Sequence, residues 1–80
     1  MATTRAFVLI ETAVGKTKDV VDALHQVDGV ATVDVVTGPY DIITVLEAGD
    51  LSSVGDMVTG HVHVISGIVR TVTCLAVGST

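Results

Sequence analysis

The chain has 80 residues, 49% of them hydrophobic and 16% charged, which fits one folded domain over residues 1–80 and excludes intrinsic disorder. Nine acidic residues against four basic ones give a formal net charge of −5. A nucleic-acid-binding surface needs clustered Lys and Arg and is therefore not expected. The single cysteine, Cys74, and the lack of a secretory signal or a long apolar run favour a cytoplasmic protein without membrane contact.

The first half of the chain predicts a strand, a helix and a hairpin. Residues 5–13 form an apolar run that Gly15 interrupts, which indicates a strand. Residues 16–27 carry apolar side chains at spacings of three and four, which is typical of a helix, and Gly29 is a plausible stop. Residues 30–37 and 41–48 are β-branched runs separated by a short turn, so they predict two paired strands.

The second half repeats the strand and helix pattern. Asp50 is a good N-cap for a helix with a periodic set of apolar residues, Leu51, Val54, Met57, Val58 and Val62. Ser66 and Gly67 end it, and residues 68–77 predict the last strand. The stretch 25–30 also resembles 63–68 where each helix passes into a strand. The β-α-β-β-α-β order predicts an α+β, ferredoxin-like fold with a four-stranded antiparallel sheet and both helices on one face.

The strands do not alternate cleanly between apolar and polar residues, as a sheet with one solvated face should. Both faces of the first and third strands carry apolar side chains. In the last strand, Val69, Leu75 and Val77 are expected to oppose Ile68, Val72 and Cys74. Burying about 500 Å² of this second face would contribute roughly 12 kcal/mol before association costs. The pattern therefore predicts a homodimer packed sheet against sheet.

The turn between the two paired strands gathers much of the polar chemistry of the chain. Gly38 tolerates a positive φ, Pro39 presets its own φ, and Asp41 can bond its own backbone. Tyr40 is the only tyrosine. One interpretation is a simple turn with Tyr40 packed at a dimer edge, and the other is contact with a small ligand.

These motifs resemble the effector-binding (RAM) domain of the Lrp/AsnC regulators. The matching segments are Gly29-Val30, Thr37-Gly38-Pro39-Tyr40-Asp41-Ile42, Asp50-Leu51, Gly67-Ile68 and Arg70-Thr71-Val72-Thr73. The resemblance implies a dimeric α/β barrel, assembled further into rings, that senses amino acids where dimers meet. It also implies a stand-alone version of the domain without a DNA-binding part.

By the same resemblance, the ligand region comprises Gly38, Tyr40, Asp41, Leu51, Cys74 and Leu75. Asp41 is expected to hold the ligand ammonium, and backbone N–H groups near Gly38 and Tyr40 its carboxylate. Cys74 stands where the family can carry a larger residue, which leaves the pocket size open. Without the ligand role, Cys74 is expected in the core rather than as a nucleophile.

No cofactor, metal site or catalytic residue is predicted. His61 and His63 share a face only if extended, and two histidines are too few ligands for a structural metal. The expected function is thus a non-enzymatic, amino-acid-binding module of homodimers in higher oligomers. One alternative is a structural module that pairs with full-length Lrp/AsnC regulators without a ligand. Another is a small enzyme on a dimeric α/β barrel, although the strand interiors lack polar catalytic groups.

Overall fold

The computed structural model describes residues 3–78. Its elements follow the predicted order and are β1 (Thr4–Thr12), α1 (Thr17–Leu24), β2 (Val30–Val35), β3 (Ile42–Ala48), α2 (Leu51–Met57), a π-helical segment (Val58–Val62) that continues α2, and β4 (Ile68–Leu75). The strands form one antiparallel sheet in the order β2-β3-β1-β4. The predicted ferredoxin-like α+β fold is confirmed.

The core lies between the sheet and the two helices. Its fully buried side chains alternate along the two central strands and recur at helical spacing, and they are Ala6, Val8, Ile10, Ile42, Leu46, Val20, Leu24, Val54, Val58 and Val62. Thr44 is the one buried polar residue among those described. Its hydroxyl donates to the carbonyl of Thr32 at 2.7 Å, so the helix-covered face contains no unsatisfied side chain within residues 3–78.

Both helices differ from their predicted length for local reasons. The helix predicted over 16–27 ends at Leu24, and turns lead to Gly29, whose φ is +93°. The second helix begins as predicted at Asp50, whose Oδ1 accepts a hydrogen bond from the Ser53 N–H at 2.7 Å. This helix widens into the π segment at Val58. None of the helices within 3–78 is long and apolar enough to cross a membrane.

The two helix-to-strand junctions have the same local structure, as the similarity between residues 25–30 and 63–68 predicted. Gly29 and Gly67 have φ values of +93° and +101°. The carbonyl of Gly29 accepts from the Glu47 N–H and that of Gly67 from the Ala13 N–H, both at 2.8 Å. A Cβ at Gly29 would meet Met57 of α2, and one at Gly67 would meet Val20 of α1. Each half of the chain thus places its glycine against the helix of the other half.

The sheet face opposite the helices, here the open face, is also apolar. Two apolar rows cross three of its four strands, β3, β1 and β4, with Val45, Phe7 and Cys74 in one row and Ile43, Leu9 and Val72 in the next. On β2 the rows end at polar residues, Thr32 and Asp34. Charged pairs bound these rows, Arg5 beside Glu47 at one end and Glu11 beside Arg70 at the other. The predicted second apolar face is therefore present in the chain.

The prediction for β4 is wrong at Ile68. The register shifts between Glu11 and Thr12, so that Ile68 pairs with Thr12 and packs against the core. Sequence alternation alone had placed Ile68 with Val72 and Cys74, because a bulge reverses the faces of the residues on either side of it. The core placement considered for Cys74 is also wrong, since this residue is exposed on the open face.

Candidate functional site

The β2–β3 turn is fixed to the end of β1 through Asp41. Its Oδ2 accepts from the Thr12 N–H at 2.8 Å and from the Thr12 hydroxyl at 3.2 Å. Its backbone N–H donates to the carbonyl of Ile10 at 2.9 Å. The carboxylate therefore accepts hydrogen bonds from Thr12, which lies 29 residues earlier in the chain. The sequence had predicted a bond to the backbone of its own turn instead. Both side-chain bonds use Oδ2, so Oδ1 takes no part in them.

Tyr40 and Arg70 lie together beside this turn. The guanidinium carbon of Arg70 is 5.3 Å from the centroid of the Tyr40 ring, within the range of a cation–π contact. The Arg70 Nε is 3.3 Å from Glu11 Oε1, with both side chains substantially exposed, so the ion pair contributes little to stability. Arg70 was not among the predicted site residues, yet it orients Tyr40 at the rim of the open face.

A groove of about 320 Å³ runs between α2 and β4. Its lining comes from two helical turns and the end of the last strand, and consists of Leu51, Val54, Gly55, Val58, Thr59, Thr73 and Leu75. Val54 and Val58 are buried and form its floor. Leu51 and Leu75 are 58% and 43% exposed. The groove thus presents apolar surface to solvent at the helix-covered edge of the sheet.

The structure divides the predicted site residues into three groups. Leu51 and Leu75 lie together in the groove, while Cys74 lies on the opposite face of the sheet. Gly38, Tyr40 and Asp41 lie near Ile10, at the end of β1 remote from Thr4 and the start of α2. Thr73 and Leu75 of the groove pair with Val8 and Ala6, which lie two and four residues along β1 from Ile10, or about 7 and 13 Å. None of the three turn residues lines the groove.

Sequence reasoning missed five of the seven groove residues. Gly55 is one of them, and because it has no side chain it leaves open space on the helical side of the groove. Thr73 was included in the family resemblance but not in the site. The prediction placed Cys74 in the site instead, although alternation along β4 turns Cys74 away from Thr73 and Leu75.

Two further polar side chains, His63 and Asp50, have structural partners. Nε2 of His63 lies 3.0 Å from the Thr71 hydroxyl, and residues 3–78 contain no group of three potential metal ligands. The hydrogen bond from the Ser53 N–H lowers the pKa of Asp50 below its ordinary value of 3.8. This carboxylate therefore caps α2 as an anion, near the groove but without lining it.

Two solved structures of similar length share this fold. The protein TTHA0845 from Thermus thermophilus is 32% identical, with a TM-score of 0.91 and 96% of each chain covered. FFRP-DM1 is 31% identical with a TM-score of 0.88, over 92% of this chain and 99% of that one. A comparison with curated protein sequences found no match.

A longer protein shares the fold. The transcriptional regulator NMB0573 from Neisseria meningitidis, solved with L-Met, is 12% identical with a TM-score of 0.83, and the match covers 94% of this chain but 50% of the regulator. At this identity the likeness shows the fold alone. The model of the Lrp/AsnC ligand-binding domain matches residues 5–80. The chain therefore belongs to the Lrp/AsnC ligand-binding domain family, as a regulatory effector-binding module.

Proposed function

We propose that this chain is a non-enzymatic regulatory module that forms homodimers through the open face and binds an amino acid between subunits of a larger assembly. The observation that carries the proposal is the pair of apolar rows on the open face. Phe7 and Leu9 at the centre of the rows are only half-buried in the single chain, and Val72 beside Leu9 is 38% exposed. A second copy would cover these side chains and remove them from water.

The charges around the rows favour a second copy of the same chain. Each end of the open face carries one acidic and one basic side chain, Glu47 with Arg5 and Glu11 with Arg70. A two-fold axis brings a surface against itself, so such mixed pairs can meet charges of opposite sign. A face bounded by one sign of charge would repel its copy.

The division of the predicted site residues supports binding between subunits. None of the turn residues lines the groove, so the proposed ligand uses the turn of one subunit and the groove of another. In that arrangement Oδ1 of Asp41 is available to the ligand ammonium, because both hydrogen bonds from Thr12 use Oδ2. Assembly and ligand binding are then thermodynamically linked.

Light scattering after size exclusion, with and without each of the twenty amino acids, tests the proposal. We expect a dimer or a larger assembly at micromolar concentration, and one class of amino acid that shifts the oligomer or raises the melting temperature. A monomer would contradict the assembly. An oligomer that responds to no amino acid would favour the alternative, an interaction module that pairs with other regulators.

Asp41→Asn separates the structural role of this residue from its proposed ligand role. The amide oxygen can still accept from Thr12, but the negative charge that holds an ammonium is lost. We expect the variant to fold and to bind the responsive amino acid at least tenfold more weakly in calorimetry. Asp28→Asn, an exposed acidic residue before Gly29, is the matched control and should bind normally. Equal affinity of both variants would remove Asp41 from the site.

A further inference from the structure

The carboxylate of Asp41 takes the place of a strand residue at the end of the sheet. β3 begins at Ile42, which pairs with Ile10 of β1, so the N–H of Thr12 lies beyond the last backbone pair of these two strands. Oδ2 of Asp41 accepts from this N–H at 2.8 Å and from the Thr12 hydroxyl at 3.2 Å. The side chain is thereby fixed through one of its two oxygens.

The other oxygen of Asp41 reaches solvent. Asp41 is half-buried, and residues 3–78 contain no buried side-chain oxygen without a hydrogen-bond partner. Because both bonds to its carboxylate use Oδ2, Oδ1 must lie at the surface. An ionised carboxylate can accept about four hydrogen bonds, and the fold uses two positions, both on the inner oxygen. The outer oxygen keeps its capacity for a cationic group.

A chain of hydroxyl groups extends this arrangement to α1. Oγ1 of Thr17, the first residue of α1, lies 2.7 Å from Oγ1 of Thr12. An ionised carboxylate only accepts hydrogen bonds, so the single proton of the Thr12 hydroxyl goes to Asp41. Thr17 must therefore donate to Thr12. Each hydroxyl in such a chain polarises the next, which strengthens the bond to the carboxylate.

The two helices begin in different ways. α2 is capped by Asp50, which accepts from the Ser53 N–H, whereas Lys16 at the start of α1 makes no side-chain hydrogen bond to its helix. The Thr17 hydroxyl does not replace that cap, because it bonds β1 instead. What this hydroxyl stabilises is therefore the orientation of Asp41 through Thr12.

We propose that Thr12 and Thr17 are positioning residues of the amino-acid site, which hold Asp41 by Oδ2 and so present Oδ1 to the ligand ammonium. This inference rests on the proposed function and adds residues of β1 and α1 to it. Neither hydroxyl needs to touch the ligand. A carboxylate that is fixed before binding loses less conformational entropy when the ammonium arrives than one that rotates freely, so the chain of hydroxyls raises the affinity.

Isosteric removal of each hydroxyl tests this role. Thr12→Val keeps the N–H bond to Asp41 and loses the hydroxyl, and Thr12→Ser restores the hydroxyl. Calorimetry on the full chain, with the twenty L-amino acids as probes, measures the affinity. For the responsive amino acid, we expect Thr12→Val to bind about two- to tenfold more weakly, as for the loss of one hydrogen bond. Thr12→Ser should bind like the parent, and Thr17→Val should lose less than Thr12→Val because it acts through Thr12.

Thr44→Val is the matched control. It also removes a hydroxyl that donates within the fold, to the carbonyl of Thr32, but that hydroxyl does not bond Asp41. Urea unfolding of each variant gives its stability beside its affinity. We expect Thr44→Val to lower the stability and leave the affinity unchanged. If Thr12→Val binds like the parent, or loses no more affinity than Thr44→Val, the inference is overturned and the proposed function stands.

NMR couplings about the Cα–Cβ bond of Asp41 measure the positioning without a ligand. We expect one rotamer in the parent and in Thr12→Ser, and a measurable share of other rotamers in Thr12→Val. A single rotamer in Thr12→Val would overturn the positioning role even if affinity falls. If the parent chain binds no amino acid, the proposed function and the inference fail together.

Discussion

The two faces of the sheet differ in how their apolar side chains are covered. Val8 and Ile10 point to the helices and are 0% exposed, while their neighbours Phe7 and Leu9 point to the open face and stay half-buried. The same strand therefore supplies two apolar surfaces of similar composition. One is covered within the chain by α1 and α2, and no element of the described chain covers the other. Hydrophobicity alone does not distinguish the two faces; the covering elements do.

The polar residues on the two faces sharpen this difference. The helix-covered face buries one polar side chain among the described residues, Thr44, whose hydroxyl is satisfied by the Thr32 carbonyl. The open face is instead bounded by charged pairs, and Arg5 lies 5.6 Å from the ring centroid of Phe7. An apolar centre with a charged rim is the usual anatomy of a protein–protein interface. The faces should therefore respond differently to substitution.

The largest loss of folding stability is expected at Ile10, in the helix-covered face. Ile10→Ala leaves a cavity in a packed core and should lower the free energy of unfolding by about 2–5 kcal/mol. The loss should not depend on protein concentration if it arises within one subunit. Urea denaturation at two protein concentrations measures the free energy of unfolding and its dependence on concentration. The control Val14→Ala, at a fully exposed position, should change the free energy by less than about 0.5 kcal/mol.

A charged side chain introduced on the open face should weaken self-association rather than folding. Leu9→Glu would place a carboxylate between Ile43 and Val72, and we expect it to weaken self-association by about 2 kcal/mol or more, roughly thirtyfold in the dissociation constant. Analytical ultracentrifugation measures the effect. Val14→Glu adds the same charge at an exposed loop position and should leave association unchanged. Dimers of undiminished affinity in Leu9→Glu would show that the open face is not the interface.

The sequence predicted both faces where strand alternation is regular and failed where it is interrupted. Phe7 and Leu9 were correctly separated from Val8 and Ile10, because side chains alternate along an unbroken strand. Ile68 was assigned to the wrong face, since its position depends on a register shift in pairing with β1. No local pattern reports such a shift, which is set by contacts between strands distant in sequence.

The candidate site was only partly predictable for a related reason. Asp41 was recognised as a turn residue from its local context, but its partner Thr12 lies 29 residues earlier and meets it only in the folded sheet. Leu51 and Leu75 were assigned to one region through family resemblance, and they do lie together in the groove. Gly55 was not assigned to the site, because the sequence alone does not show that its missing side chain leaves space beside β4.

Adding a side chain on the helix-covered side should also lower the stability of the fold, and Gly29 is the position that tests this. A Cβ there would lie 2.5 Å from Met57 Cε and 3.1 Å from the backbone carbonyl oxygen of Glu47, at a φ of +93°. The Met57 side chain can move, but the backbone oxygen and the φ value cannot adjust easily. Gly29→Ala should therefore cost about 1–3 kcal/mol in thermal or urea unfolding. Gly49→Ala, with open space around its Cβ, is the control and should cost less.

The smallest effect is expected at Asp50, which holds the start of α2 over the helix-covered face. Its pKa in the folded chain lies below the ordinary 3.8 because the ionised carboxylate accepts from the Ser53 N–H. The anion therefore stabilises the fold above the unfolded pKa, and this contribution is lost as the pH falls through the folded pKa. Asp50→Asn keeps a capping oxygen without the charge.

Thermal unfolding of the parent chain and of Asp50→Asn between pH 7 and about 2 tests whether the charged cap stabilises the fold. Asp56→Asn is the control, because Asp56 is an exposed residue on the same helix. The melting temperature of the parent should fall more steeply in acid than that of Asp50→Asn, while Asp56→Asn should follow the parent. Parallel curves for the parent and Asp50→Asn would contradict the charged cap. Because Asp50 lies on no part of the open face, its acid sensitivity should persist when Leu9→Glu has weakened the assembly, which separates folding from association in one measurement.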